Sequence, residues 1–386
     1  MFMLIDINLT LVLALAASFL MACAVGANDV ANAMGTSVGC KVINLKQAVL
    51  IAAIFEAMGA LLASSEVTTT IRQGVVDLSF YANDLDALIL GMVACLLASA
   101  SWLILATYFA WPVSTTHSII GSLVGFSFLV GGAESIHWWG LLKIFSSWVT
   151  GPIISGAVAY FLFKSLQRFI FSSVDPIKKA ILLIPIYGSI VGIFIGISFL
   201  SHQLDDLFWT ALASLFLGFL TFCILSCFYK WTYVEEPSIS LRRQFEKIEK
   251  MFGFLVVMTA SFMAFAHGSN DVANAIGPLS VIIGLQDMGY AAMEHTGIPL
   301  ELLLFGAVGV VIGLAIYGYR IIETVGNDIT LLTPTRSFSA QLATSIVVVV
   351  ASLIGLPVST TQILVGSILG VGFARGIEAL NLKVVK

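Results

Sequence analysis

The sequence predicts an all-α polytopic membrane protein, an inverted-topology repeat whose broken helices and helical hairpins meet at the midplane. Three observations carry that expectation. The 386 residues are 59% hydrophobic and only 10% charged. The string NDVANA is spelled twice, at 28–33 and 270–275, and the string PVSTT twice, at 112–116 and 357–361. Soluble domains carry about 25% charged residues, and a mean hydropathy of +1.02 belongs to a bilayer. The lipid bilayer is thus the first partner, and the protein is placed in the cell membrane. A net charge of −4 spread over loops points to no nucleic-acid partner and no basic lipid-binding surface.

Segments of about 18–25 apolar residues cross a bilayer as helices. They lie near 8–40, 45–65, 87–110, 112–131, 138–164, 178–200, 207–230, 250–285, 300–320, 337–355 and 358–377, about eleven spans. The start, MFMLIDINLT, has no basic residue ahead of its apolar run and leads straight into the Asn/Asp motif, which argues against a cleaved signal peptide. The first and eighth segments exceed one straight crossing and are interrupted by NDVANA. They read as broken helices, with Gly26 and Gly268 as the break points and Asn28 and Asn270 near the N-cap of the second half. Cys23, Cys40, Cys95, Cys223 and Cys227 sit in apolar runs without paired spacing and read as small buried hydrophobes.

Lys and Arg accumulate on the cytoplasmic side. The segment 164–179 carries Lys164, Arg168, Lys178 and Lys179, and 230–250 carries Lys230, Arg242, Arg243, Lys247 and Lys250. Both are placed inside, as is the loop with Lys41 and Lys46. The acidic loops 77–86, 202–206 and 287–301 are placed outside. Along this path the first NDVANA segment runs from outside to inside and the second from inside to outside. The spacing agrees: 85 residues separate Asp29 from Ser114, and 88 separate Asp271 from Ser359. A whole unit was duplicated. The repeats are assigned to 1–163 and 250–386, with connecting spans and a cytoplasmic linker at 164–249. After PVSTT the first unit continues through SSWVTGP (146–152), whereas the second reaches NLKVVK, so its last span is expected to be missing.

An Asp at the bilayer centre costs about 2.5–3.5 kcal/mol on insertion scales and must be paired, solvated or functional. Asn28 with Asn32, and Asn270 with Asn274, are four apart on one helical face, with Asp29 and Asp271 beside them. Their oxygens make a hard nest suited to sodium or a proton. A transition metal is not expected, for lack of nearby His and Cys. PVSTT has the opposite character. Pro112 and Pro357 favour a helix start, which puts Ser114, Thr115, Thr116 and Ser359, Thr360, Thr361 where backbone N–H groups are free and the dipole is positive. Hydroxyls at two helix N-termini suit a tetrahedral oxyanion. None of the four motifs holds Lys or Arg, so bound cations must offset the anion's charge. Two unit charges about 4 Å apart at an effective dielectric near 20 interact by about 4 kcal/mol, enough to make the anion site depend on the cation. Glu56, the one acid in its span, is a further functional candidate. His117, with Gln362 in the matching place, reads as a polar lining residue. His267, matched by Val25, receives no role.

These motifs are specific. GANDVANAMGTSVG and GSNDVANAIGP, each with a downstream PVSTT, together with IFEAMGALL and LTPTRSFSAQLATS, resemble the duplicated signature of the inorganic phosphate transporter (PiT) family over nearly the whole chain. The resemblance implies a twelve-span inverted-repeat fold and a secondary transporter, not an enzyme. Such a transporter imports inorganic phosphate by symport with sodium, or in some bacterial members with protons. It implies cation positions at Asn28, Asp29, Asn270 and Asp271, phosphate positions at Ser114, Thr115, Thr116, Ser359, Thr360 and Thr361, and an essential Glu56. Gln341 stands in FSAQLA where family members often have Glu. No cofactor is expected beyond the transported ions, and a second copy of the chain, as a homodimer, is a candidate partner. Proton-coupled symport is the nearest alternative. An intramembrane aspartyl protease using Asp29 and Asp271, or a passive anion channel, are the alternatives of another class.

Overall fold

The computed structural model describes residues 9–376 apart from 202, 205, 234–239, 294–296 and 329–331, and for 286–293 and 323–328 it describes the backbone alone. Among the described residues thirteen α-helices follow one another: α1 (Leu9–Gly39), α2 (Leu45–Ala63), α3 (Ser65–Gln73), α4 (Leu85–Tyr108), α5 (Thr115–Gly131), α6 (Trp138–Leu166), α7 (Pro176–Leu200), α8 (Leu207–Thr232), α9 (Leu241–Asp271), α10 (Ala273–Met293), α11 (Leu300–Asp328), α12 (Pro334–Leu353) and α13 (Thr360–Arg375). Among the described residues the β-structure is a single antiparallel bridge, Val76 with Ile136. Loop chemistry sets several helix starts. Asn44 and Gln47 form a reciprocal capping box on α2, and Asp84, Asp175 and Asp206 accept backbone N–H groups at the starts of α4, α7 and α8.

Nine helical stretches among the described residues are long and apolar enough to cross a membrane, and the protein is a multi-pass membrane protein. Two of the eleven expected spans are shorter. α5 has 17 residues and α13 has 16, about 26 and 24 Å against a hydrocarbon core of about 30 Å. Each is the second arm of a hairpin, α4–α5 and α12–α13.

The break points expected inside NDVANA are corrected. α1 passes unbroken through Gly26, and the second copy is interrupted only at Val272, whose carbonyl accepts from both Ala275 and Ile276. Asn28 is mid-helix and Asn270 lies in the last turn of α9, so neither is an N-cap. The glycines serve close approach instead. A Cβ on Gly26 would strike the backbone carbonyl of Val310 in α11, and one on Gly268 the backbone carbonyl of Glu56 in α2. α1 therefore packs along α11 as α9 packs along α2. Within the expected linker, 241–250 is helical and forms the first turns of α9, where Glu249 accepts from the N–H and hydroxyl of Thr335 at the start of α12.

The interruptions lie in the hairpins, and the two turns are built alike. Trp111 N–H donates to Ala106 O and Leu356 N–H to Ala351 O, both at 2.8 Å. The left-handed residue closing each helix is Ala110 (φ 56°) in the first and Gly355 (φ 66°) in the second. An L-residue in that region costs about 1–2 kcal/mol, against about 0.5–1 kcal/mol for the extra chain freedom of glycine. Ala110→Gly is therefore expected to raise the melting temperature of the detergent-solubilised protein slightly, read by tryptophan fluorescence.

The second arms of the two hairpins are packed differently. The small face of α13 is covered by α6, with Gly366 against the Pro152 backbone and Gly370 against Gly156, while a Cβ on Gly121 or Gly125 of α5 would meet no described atom. The place where a helix matching α6 would follow α13 falls in 377–386, outside the described residues. The cysteines are all free; Cys95 is buried as expected, Cys23 and Cys40 are half-buried, and Cys223 and Cys227 lie on the outward face of α8.

Candidate functional site

The two hairpin tips meet the two NDVANA segments inside the molecule. Asn28, Asp29, Asn32, Asn270, Asp271 and Asn274 are each at most 1% exposed, so this centre is closed to solvent. Each hairpin is first clamped by an asparagine. Asn28 Nδ2 donates to Thr107 Oγ1 (3.0 Å) and Trp111 O (3.1 Å), and its Oδ1 accepts from Val113 N–H at 3.2 Å. In the second repeat Asn270 Nδ2 donates to Ser352 Oγ (3.1 Å) and Leu356 O (3.3 Å), and its Oδ1 accepts from Val358 N–H at 3.2 Å. The polar groups freed by each turn are thereby satisfied inside an apolar core, which explains why α1 itself has no need to break.

The aspartates come next. Thr115 Oγ1 donates to Asp29 Oδ2 at 2.7 Å, and Thr360 Oγ1 to Asp271 Oδ2 at 2.8 Å. The second asparagine of each motif then crosses to the other repeat. Asn32 Nδ2 reaches Thr360 and Thr361 at 3.2 and 2.9 Å, and Asn274 Nδ2 reaches Thr115 and Thr116 at 3.3 and 3.4 Å. Thr116 also donates to Val358 O and Thr361 to Val113 O. Four threonine hydroxyls and two helix N-termini thus converge on two carboxylates and two amides.

Ser114 and Ser359 stand at the two helix starts. Each is the N-cap of its helix, accepting from His117 N–H at 3.1 Å and from Gln362 N–H at 3.3 Å. Pro112 and Pro357 stand two residues ahead of those caps, in the turn rather than in the helix. His117 lies outside the centre, its ring 3.7 Å from that of Trp148, at a cavity of about 460 Å³ lined by Ser99, Ser114, Ser118 and Ser122. Gln362 Oε1 is buried without a hydrogen-bond partner. Gln341 is not in the cluster either. Its oxygen accepts from Ser37 and its amide donates to Ala33 O, tying α12 to α1.

Glu56 is brought in by a residue given no role from the sequence, His267. His267 Nδ1 is 3.2 Å from Glu56 Oε1, and Nε2 is 3.0 Å from Asp271 Oδ2 and 3.8 Å from Asp29 Oδ2. The ligand atoms of Asp29, His267 and Asp271 all lie within 4.8 Å of one another. This corrects the expectation that no imidazole stands near the cation nest. The signal was present: His267 is four residues before Asp271, hence on the same helical face, and comparison with Val25 hid it. Thr107 and Ser352 were missed too, although each lies five residues ahead of its Pro-Val-Ser-Thr-Thr string.

Set beside known proteins, residues 25–386 match the Phosphate transporter family. A Haemophilus influenzae protein named "Putative phosphate permease" is 43% identical over 374 residues, covering 95% of this chain and 89% of its own length. The chloroplastic inorganic phosphate transporter 2-1 of Arabidopsis thaliana is 38% identical over 395 residues, covering 95% of this chain and 66% of its own. A solved structure named "The sodium-dependent phosphate transporter" superposes with a TM-score of 0.91 at 34% identity, covering 98% of this chain and 93% of that one. Likeness of that extent, over both repeats and both hairpins, makes this chain a member of the Phosphate transporter family.

Proposed function

We propose that this protein is a secondary active transporter that imports inorganic phosphate by symport with sodium. The observation that carries the reading is the convergence of the two threonine-bearing helix starts on the crossed Asn/Asp pairs. Thr115, Thr116, Thr360 and Thr361, with the N-termini of α5 and α13, hold the oxyanion. Ser114 and Ser359 keep those termini capped and aimed. Asp29, Asn32, Asp271 and Asn274 supply hard oxygens to the sodium ions, Asn28 and Asn270 fix the hairpins, and Glu56 acts through His267. No motif holds lysine or arginine, and one imidazole, His267, faces two carboxylates and Glu56, so phosphate still needs bound cations to offset its charge, which makes the coupling obligatory. Sodium and phosphate are cargo here.

The names carried by the relatives and by the solved structure support the substrate and the ion. Proton coupling is the second reading, favoured by one observation: an imidazole between Asp29 and Asp271 has the donor and acceptor needed to relay a proton. Uptake of labelled phosphate into proteoliposomes separates the two. A sodium gradient is expected to drive accumulation, and choline with a proton gradient is not. Accumulation driven by the proton gradient alone overturns the sodium reading.

A further inference from the structure

The two halves of the site differ in a buried pair of residues. Gly26 and Gly268 are matched positions, lying against the carbonyls of Val310 and Glu56 respectively. A second crossing gives the same register, with Gly313 against the Cys23 backbone and Gly59 against the Phe265 backbone. Val310 is therefore the counterpart of Glu56, and Val25, one residue before Gly26, is the counterpart of His267. The second motif carries a buried imidazole–carboxylate pair where the first carries two buried valines.

That difference falls on the aspartates unequally. Asp271 Oδ2 has Thr360 at 2.8 Å and His267 Nε2 at 3.0 Å, and its Oδ1 accepts from Thr116 at 3.4 Å and Asn274 at 3.5 Å. Asp29 Oδ2 has Thr115 at 2.7 Å, with the imidazole withdrawn to 3.8 Å. Asp29 Oδ1 is buried with no hydrogen-bond partner, and so is Asn274 Oδ1. Both open acceptors belong to residues that Thr115 joins, its hydroxyl donating to Asp29 Oδ2 and receiving from Asn274 Nδ2. A buried carboxylate oxygen without a donor is expensive and calls for a partner. Both oxygens of Asp271 already have donors, and the imidazole stands against Oδ2 as an ion-pair contact, although neither ring nitrogen of His267 and neither oxygen of Glu56 makes a hydrogen bond.

We propose that His267, held by Glu56, is a positioning residue that makes the cation half-sites inequivalent. It occupies Asp271, and the seat formed by Asp29 Oδ1 and Asn274 Oδ1 takes the first sodium. The inference rests on the sodium-coupled reading above and adds an order to it: cation enters at the Asp29 side, and the Asp271 side is pre-engaged.

The test is binding of radioactive sodium to the purified full chain by scintillation proximity, without phosphate, in parent, Asp29→Asn and Asp271→Asn proteins. Asp29→Asn is expected to raise the sodium concentration for half-saturation of the first site by about tenfold or more, and Asp271→Asn by less than about threefold. In a Glu56→Val/His267→Val background, which copies the valine pair of the first half, the two effects converge to within about threefold. A general loss of packing would weaken both equally and would not respond to the paired change. Equal effects of the two aspartate variants in the parent background overturn the proposal, and that comparison stands if the paired variant does not fold. A parent that binds no sodium overturns the coupled reading itself, and with it the proposed order, before any variant is measured.

Discussion

Replacing Thr115 and Thr360 together by valine is expected to raise the phosphate concentration for half-maximal uptake by on the order of a hundredfold or more. Valine keeps the volume and the β-branch but removes both hydroxyls at the two helix starts. Those hydroxyls lie 2.7 and 2.8 Å from Asp29 and Asp271, so they can turn between carboxylate and bound oxyanion without moving the backbone. A hydrogen bond to a charged group contributes about 1.5–3 kcal/mol. Losing two removes about 3–6 kcal/mol, where each 1.4 kcal/mol is tenfold. Thr→Ser at the same positions keeps the donor and is expected to stay within a few-fold. Initial rates of labelled phosphate uptake in proteoliposomes check both variants. A double valine variant with unaltered half-saturation removes these threonines from the phosphate site.

Gly268→Ala is expected to destabilise the protein and abolish uptake, while Gly121→Ala is expected to leave both unharmed. The two substitutions add the same methyl group to glycines in membrane helices. At Gly268 the methyl would enter the backbone of Glu56, which cannot rotate away as a side chain does; at Gly121 it would meet no described atom. Overpacking costs about 1–3 kcal/mol and more when only backbone can yield, whereas an unobstructed Gly→Ala in a helix gains about 0.5–1 kcal/mol. The displacement at Gly268 also falls beside Asn270 and Asp271, so the hairpin clamp shifts with the helix. Thermal unfolding in detergent and uptake in liposomes read the two consequences separately.

Much of this architecture was legible in the sequence because membrane helices and exact repeats leave strong marks. The two NDVANA and two PVSTT strings gave the pairing of motifs, and Thr115 and Thr360 lie where that pairing put them. The breaks did not follow. A polar interruption in an apolar run looks the same whether the helix breaks there or whether a hairpin from elsewhere satisfies its side chains. Asn28 and Asn270 are the second case, and their partners lie 79 to 88 residues away. Gly26 and Gly268 read as break points for the same reason: close approach and chain reversal both call for a residue without Cβ. His267 escaped notice because repeat comparison rewards what is shared, and its interest lies in what Val25 does not share. Gln341 was legible as a polar residue in the membrane, but its part in joining α12 to α1 depends on Ser37 and Ala33, far away in sequence.

On the proposed reading, cation and oxyanion sites form one coupled unit. Calorimetric titration of phosphate into the purified protein, in sodium chloride and in choline chloride at equal ionic strength, tests it most directly. Sodium is expected to tighten phosphate binding by about tenfold or more, a coupling of about 1.4 kcal/mol or greater. The same phosphate affinity in both salts would contradict it.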